Sequence, residues 1–547
     1  MTVKVSVVVP VYNPGPHIED CIASLLRQTL PDDEYETIFV DDGSNDGTPE
    51  RLDRLAAEHP NVTVIHQEPS GWSGKPRNVG IEAARGKYIQ FVDNDDYLGD
   101  EALERLWSYA EENSSDVVIG KMAGIGRSVP REVFRKNRPD ATLANSQIID
   151  SLTPHKMFRR AFLDDNGIRF KEGRRRLEDH VFVIEAYLRA KRISVLSDYV
   201  VYYHVTRDDV SNAAFQRIEP AGYMKNLEEA LDLVDRYLEP GDVKDRTQRR
   251  WLRVEMVERM RGGRLLKQIA PEDRALWFDE ISRVVKERFG SGVAAGLPPA
   301  QRAIAETFTH GTVEQLEALA EWEKSIASRT YLESAEWDGD ALRIAFRAEL
   351  YAGQEPLTFR AEGERDQLVL PALGPELGQV DATERLRKHT KAELVLRDRK
   401  SGAEVYVPVS GTRVERRPAG DGDGGLFRVV VHGEATIEPD RAGGVAGKRK
   451  PLAESPWDTT VRLHVAGWTK DAKLGKGRDT SKQALPAWIT RSGVLTLNVG
   501  GRPAAGAPDP VLAGAPAGPA RSAGAQAPFA RKVRRRLGRI ARALKLR

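Results

Sequence analysis

Over the first 120 residues, short continuous apolar runs alternate with amphipathic stretches. Residues 5–9, 36–40, 62–66 and 87–92 read as strands, and residues 17–28, 49–58 and 99–112 carry the three-and-four spacing of helices. Consecutive β-branched positions suit strands covered on both faces, so the rhythm predicts a parallel sheet flanked by helices, an α/β domain over residues 1–216. From 217 to 330 the pattern is helical alone, with expected helices at 226–238, 250–268 and 312–326. Period-two alternation then takes over and predicts two tandem β-sandwich modules, 331–415 and 425–500, separated by the Gly- and Asp-rich run 420–425. A faint repeat supports two related modules: Trp337-Asp338 and Trp457-Asp458 each precede an alternating strand.

Residues 501–528 are mostly Ala, Gly and Pro and read as a flexible linker. The tail at 529–547 places Phe529, Val533, Leu537, Ile540 and Leu544 on one helical stripe, with basic residues mostly on the other faces. This pattern predicts a helix lying on an anionic membrane surface; a helix docking on an acidic partner and a disordered basic tail are the competing readings.

Charge and composition narrow the picture. The formal net charge is +2, but nine basic residues and no acid fall in 531–547, which leaves −7 on the rest. A mildly acidic body excludes a general nucleic-acid binder. The single cysteine, Cys21, excludes an intrachain disulfide. No run of 18 apolar residues exists, and the apolar start is too short for a signal peptide, so the expected protein is cytoplasmic and peripheral on the inner face of the plasma membrane.

Polar clusters follow the predicted strands, where an open α/β sheet gathers its ligands. They are Pro10-Val11-Tyr12-Asn13, Val40-Asp41-Asp42-Gly43-Ser44, Lys75-Pro76-Arg77-Asn78 and Asp93-Asn94-Asp95-Asp96. The second alone is also an ordinary turn and helix cap. Three carboxylates in four residues repel unless donors or a cation compensate, which points to a hard divalent ion.

Together these motifs resemble glycosyltransferase family 2, with Val7-Val8-Val9-Pro10-Val11-Tyr12-Asn13, the Asp41-Asp42 loop, Arg77-Asn78-Val79-Gly80 and the Asp93 to Asp96 form of an Asp-x-Asp motif carrying the likeness over roughly residues 4–215. The resemblance implies a GT-A fold and inverting transfer from a UDP-sugar, with Mn²⁺ or Mg²⁺ as cofactor. It puts Pro10, Tyr12 and Asp42 around the base, Arg77 beside base or ribose, Asp93 near ribose and diphosphate, and Asp95 on the metal. In the segment 174–182 it implies Asp179 as the catalytic base; a helix-stabilising acidic pair is the structural alternative. His204 would complete the metal shell and Arg207 would meet the diphosphate. Domain order is similar to the bacterial wall teichoic acid glycosyltransferases that modify poly(ribitol phosphate). That likeness implies a polymeric or lipid-linked glycan acceptor and a homo-oligomer, a trimer, built by the C-terminal modules. The basic residues Lys171 and 174–176 suit a polyanionic acceptor, or are a solvated loop. The competing reading is a glycan-binding or oligomerising scaffold with a degenerate transferase domain, which intact Asp42, Asp93, Asp95 and Asp179 oppose. A nucleotidyltransferase needs a Gly-rich loop after the first strand, and Pro10-Val11-Tyr12-Asn13-Pro14 is nothing like one.

Overall fold

The computed structural model describes residues 3–206, 218–400, 403–419, 425–442, 451–475 and 495–499. Arg207, the expected linker 501–528 and the basic tail 529–547 lie outside the described residues.

Strand β1 (Val5–Val11) is buried at every position, as a β-branched run in the middle of a covered sheet must be. It pairs in parallel with β2 (Tyr35–Asp41) on one side and β4 (Tyr88–Phe91) on the other, and β3 (Val62–His66) extends the sheet beyond β2. The strands β5 (Tyr97–Leu98), β6 (Val117–Ile125), β7 (Arg138–Ala141), β8 (Met157–Arg159) and β9 (Ile193–Val205) complete a nine-stranded mixed sheet of order 3-2-1-4-8-6-9-5, with β7 on β9. Helices α1 (Ile18–Leu25), α2 (Thr48–Glu58), α3 (Gly74–Ala83), α4 (Ala102–Asn113), α5 (Arg160–Asp165) and α6 (Glu178–Arg189) cover it. In α1 the residues Ile18, Cys21, Ile22 and Leu25 form the buried stripe. Under the carboxyl end of β4, Phe91 meets Phe158, Phe170 and Phe182 edge-on, and Phe170 stacks on Phe182 at 3.9 Å. This aromatic cluster ties α6 to the sheet directly below the acidic loop.

The helical region contains α7 (Pro220–Tyr237), α8 (Asp242–Trp251), α9 (Gly262–Gln268), α10 (Pro271–Arg288), α11 (Ser291–Ala295), α12 (Pro299–His310) and α13 (Val313–Lys324). One expectation is corrected here. The helix foreseen over 250–268 is broken: α8 runs into a π-turn at Leu252–Val257, and α9 starts afresh at Gly262, whose φ of +46° is left-handed. The break coincides with Arg261, whose guanidinium pairs with Glu323 and Glu258.

The C-terminal strands are β10 (Ile326–Asp338), β11 (Ala341–Ala352), β12 (Glu355–Pro356), β13 (Thr358–Glu362), β14 (Arg365–Val369), β15 (Gln379–Asp381), β16 (Lys391–Asp398), β17 (Glu404–Val407), β18 (Val409–Pro418), β19 (Leu426–Ile437), β20 (Pro456–Val465), β21 (Trp468–Lys473) and β22 (Thr496–Asn498). They are strand-rich sheets as expected, but the division into two successive modules does not follow the pairing. One sheet runs 10-11-19-13-14-15, so β19 lies between strands from the first stretch; the other runs 17-16-20-21, joining β16 and β17 to β20. Alternation tells each strand which face to bury and leaves its neighbour open. Trp337-Asp338 ends β10 and Trp457-Asp458 lies in β20 of the other sheet, so the faint repeat has no common structural position.

The helical region is docked on these sheets. The Trp468 indole N–H donates to Glu323 Oε1 at 2.8 Å, and the Ala300 N–H donates to the Ala466 carbonyl at 2.9 Å. Trp468 is therefore core, at 4% exposure, while Trp488 lies outside the described residues. Among the described residues no helix is long and apolar enough to cross a membrane.

Candidate active site

The polar loops converge at the carboxyl ends of β1, β2 and β4, where parallel strands leave a crevice. Pro10 is buried at the end of β1, and its carbonyl accepts from Asn94 Nδ2 at 3.2 Å. Tyr12 follows with 55% of its surface exposed, so its ring face is open to a ligand. Asp42 is buried at 4% exposure. Its carboxylate accepts from Gln67 Nε2 (2.6 Å), the Ser70 N–H (2.9 Å) and Ser70 Oγ (2.8 Å), which holds it rigidly as an acceptor.

Arg77 organises the floor. It is buried on α3, which starts against the 170–172 segment so closely that a Cβ on Gly74 would lie 2.3 Å from the Lys171 carbonyl oxygen. Asn78 locks the same contact, donating to the Phe170 carbonyl at 2.9 Å and accepting from the Phe170 N–H at 2.8 Å. From this position Arg77 Nη2 donates to Asp93 Oδ1 (2.8 Å), while Nη1 donates to Ser73 Oγ (2.9 Å) and lies 3.8 Å from Glu178 Oε1. One guanidinium thus joins the acidic loop to the turn that carries Glu178 and Asp179.

In the acidic loop the three aspartates differ in environment. Asp93 accepts from Arg77 and contacts His155 Nε2 at 2.9 Å; burial raises its carboxyl, but His155 and Arg77 outweigh that and hold it well below the usual range. Asp96 accepts from Tyr202 Oη (2.6 Å) and the Val205 N–H (2.7 Å), and burial with Asp93 and Asp95 nearby pushes it up to about 8. His155 stacks on Tyr202 at 4.3 Å and meets His204 edge-on at 5.3 Å. Burial lowers both histidines, against the pull of Asp93, and His204 falls to about 3, so His204 stands as a neutral imidazole.

The donor set fits a hard divalent cation. Asp93, Asp95 and Asp96 bring one oxygen each within 4.8 Å of one another, and Asp96, His155 and His204 bring a ligand atom each within the same limit. The buried Nδ1 of His155 has no hydrogen-bond partner. Asp95 and His204 therefore fall in overlapping ligand groups, and Arg207 lies outside the described residues.

Asp179 sits in the first turn of α6. Leu177, just before the helix, has a φ of +63°, an uncommon conformation for a branched residue and one that turns the chain sharply into the helix. Asp179 Oδ1 accepts from the His180 N–H at 2.9 Å. Burial and then Glu178 raise its carboxyl, against the pull of Arg77, to about 7. That is where a general base for a neutral hydroxyl works best. Lys156, 1% exposed, is pushed down to about 7 by burial, with Asp179 opposing the shift.

Sequence reasoning missed His155, Lys156, Gln67 and Ser70. Thr153-Pro154-His155-Lys156 before an apolar strand was the available signal for the first two. Of the basic residues 174–176, Arg175 is committed to α7 through Glu229 (2.8 Å) and Asn226 (3.3 Å), and the Arg176 guanidinium lies 5.4 Å from the Trp72 ring.

Residues 6–180 match the glycosyl transferase family 2 model, and residues 220–320 match the glycosyl transferase TarS linker domain. The chain is 37% identical over 288 residues to a poly(ribitol-phosphate) beta-glucosyltransferase of Bacillus spizizenii, covering 52% of this chain and 45% of that protein. It is 42% identical over 207 residues to the poly(ribitol-phosphate) beta-N-acetylglucosaminyltransferase TarS of Staphylococcus aureus, covering 38% of this chain and 36% of that one. The chain thus matches less than half the length of these two curated relatives. The crystal structure of S. aureus TarS 1–349 in complex with UDP superposes with a TM-score of 0.52 at 30% identity, covering 62% of this chain and 96% of that one; the same segment is also known with UDP-GlcNAc. With an acidic loop beyond β4, the Glu178–Asp179 pair opening α6 and a GT-A sheet beneath both, the chain belongs to glycosyltransferase family 2.

Proposed function

We propose that this protein is an inverting glycosyltransferase that moves a sugar from a UDP-sugar to a hydroxyl of a teichoic-acid-like polymer. The observation that carries the reading is Arg77, which spans from Asp93 on the donor side to the Glu178–Asp179 turn. Donor and base are held in one frame, as direct displacement at an anomeric carbon requires.

In this reading Tyr12 stacks on the uracil, Asp42 accepts from its imide N–H, and Arg77 and Asp93 orient the ribose and diphosphate. Asp95 and His204 hold Mn²⁺ or Mg²⁺, which when bound neutralises the diphosphate charge. Asp179 takes the proton from the acceptor hydroxyl as that oxygen attacks from the face opposite UDP, which inverts the anomeric centre. Arg207 meets the departing diphosphate. Relatives named for poly(ribitol phosphate) support the acceptor class. The test is UDP release from UDP-glucose and UDP-N-acetylglucosamine, with and without poly(ribitol phosphate). Polymer-dependent release is expected; release from neither donor would favour the scaffold reading.

Two further parts of the proposal carry their own tests. The C-terminal sheets assemble the protein, as a trimer, and leave the transferase domain to act on a multivalent polymer. Light scattering is expected to give a multiple of the 60.8 kDa chain mass for the whole protein and a monomer for a chain ending at Ser325; a monomer in both refutes assembly. The tail at 529–547 holds the enzyme reversibly on the inner face of the plasma membrane, each basic residue near an anionic surface contributing about 1 kcal/mol before salt screening. Flotation is expected to recover the intact chain with anionic liposomes, and not with neutral ones. Equal recovery of a chain ending at Pro528 contradicts the anchor.

A further inference from the structure

Strands β2 and β3 end side by side: Asp41 closes the first, His66 closes the second, and the two are direct register partners. The residue after each joins the next pair, since Gln67 donates to the Asp42 carboxylate, and its own N–H donates to the Asp41 carbonyl at 3.0 Å. His66 uses both ring nitrogens. Nδ1 lies 2.9 Å from Asp41 Oδ2, and Nε2 lies 3.1 Å from Asp53 Oδ1 on α2. An ionised carboxylate only accepts, so a neutral imidazole, with one N–H, satisfies one of the two contacts, whereas the imidazolium satisfies both. The geometry therefore selects the charged ring. Hydrogen bonds from Asp41 and then Asp53 raise the pKa of His66 above the ordinary imidazole value, against the smaller effect of burial.

Asp41 is the buried member of this bridge, with a side chain 3% exposed against 43% for His66 and 65% for Asp53. A carboxylate so far from water is held by its partners. Its other oxygen, Oδ1, accepts from the Ser44 N–H at 3.1 Å. Ser44 Oγ accepts from the Asn13 N–H at 2.9 Å, Asn13 Oδ1 accepts from the Asn45 N–H at 2.8 Å, and Asp46 Oδ2 accepts from the Gly15 N–H at 2.8 Å. These bonds stitch the turn after β2 to the turn after β1, where Asn13 is held at a left-handed φ of +43°. Both walls of the base site thus hang from Asp41: Asp42 is its chain neighbour, and Tyr12 is reached through Ser44 and Asn13.

We infer that His66 is a positioning residue for the nucleotide base: as an imidazolium bridging Asp41 and Asp53 it fixes the turns that carry Asp42 and Tyr12, so that UDP binds more tightly with the ring charged than neutral. The inference rests on the reading of Asp42 and Tyr12 as the base site. The charged groups facing the ring are Asp41 of β2 and Asp53 of α2. Asp42, next in the chain, is turned instead to Gln67 and Ser70, and Asp46 to Gly15 and Thr48. Because the value of His66 is raised in the folded chain, the bridge is complete below its midpoint. As pH rises through that midpoint the ring gives up one N–H and its charge: one carboxylate loses its donor, and buried Asp41 loses its cation. The effect falls on donor binding, since the bridge lies on the β2–β3 side of the sheet and Asp179 opens α6.

The test uses the full chain. Histidine ring NMR gives the His66 midpoint, its signals assigned by their loss in His66→Gln, and calorimetry in Mg²⁺ gives UDP affinity over the same pH range. Affinity is read as a ratio to His66→Lys, which keeps a cation beside Asp41 throughout and shares the ionisation of UDP itself. The midpoint is expected above that of free histidine, and the ratio is expected to fall about two- to fivefold as pH rises through it. Binding is reciprocal, so saturating UDP moves the midpoint up by the logarithm of the same factor. Asp53→Asn alters only an exposed carboxylate on α2, and is expected to lower the midpoint and carry the affinity limb down with it. In turnover, donor KM rises across the limb while the kcat profile keeps its shape. A ratio flat with pH, or a midpoint that UDP leaves unmoved, overturns the inference and leaves His66 a surface residue of β3. If the unaltered chain binds no UDP at any pH, the nucleotide reading falls, and this inference with it, even where Asp53→Asn lowers the midpoint. If UDP binds and sugar is transferred with the ratio flat, only this inference falls.

Discussion

Asp179→Asn lowers turnover by about 10² to 10⁴-fold and leaves UDP affinity nearly unchanged. The substitution keeps the size of the side chain and its acceptor for the His180 N–H, and removes the atom that takes the acceptor proton. Steady-state kinetics with titration calorimetry for UDP separates the two effects; lost UDP affinity at unchanged turnover would make Asp179 a binding residue. The pH profile follows from the same carboxyl. Burial and Glu178 raise it to about 7, so the base form dominates above that pH and is lost below it. The acidic limb of kcat falls about tenfold per unit below pH 7 in the unaltered enzyme. In Asp179→Asn the residual rate no longer follows that limb.

Asp95→Ala is expected to cost nearly as much, for a different reason. It removes one of three carboxylates that converge within 4.8 Å, beside a ligand group containing His155 and His204. Loss of the cation site lowers kcat/KM by about 10² to 10³-fold and weakens UDP binding in Mn²⁺. In contrast to Asp179→Asn, the defect appears in calorimetry before any chemistry takes place. Full activity of the unaltered protein in excess EDTA would contradict metal dependence outright. Asp96→Asn serves as a comparison, because Asp96 accepts from Tyr202 and the Val205 backbone, and its loss disturbs the frame around the site.

What the chain discloses before folding depends on how local each signal is. The strands β1 to β4 and the loops after them were legible because continuous β-branched runs, and Asp, Asn and Gly clusters beyond them, are local patterns with few alternatives. Asp42, Asp93 and Asp179 were singled out through the family resemblance that these motifs and the Glu178-Asp179 pair carry, and their roles belong to the proposal. That Arg77 reaches both Asp93 and Glu178 could not be read, since the three are separated by up to 101 positions and meet only through the packing of α3 on the 170–172 segment. His155 and Lys156 lacked a repeating context, and a lone histidine is more often structural. The C-terminal sheets failed in a different way. Alternation located β11, β14, β16, β17, β19, β20 and β22 and missed others such as β10, β13, β18 and β21; β19 inserts beside β11 and β13 across about 70 to 90 residues of intervening chain, and period-two alternation carries no information about partners. The broken helix at Gly262 was signalled by the Gly262-Gly263 pair, which the surrounding apolar spacing overrode.

The central claim is that one site holds a UDP-sugar, takes a proton from a polymer hydroxyl at Asp179 and displaces UDP from the opposite face. Proton NMR of poly(ribitol phosphate) after incubation with the full protein, an α-configured UDP-sugar and Mn²⁺ tests it most directly. The account predicts a new β-configured anomeric signal that grows in step with released UDP and is nearly absent with Asp179→Asn. An α-configured signal, or UDP released without any sugar on the polymer, would contradict it.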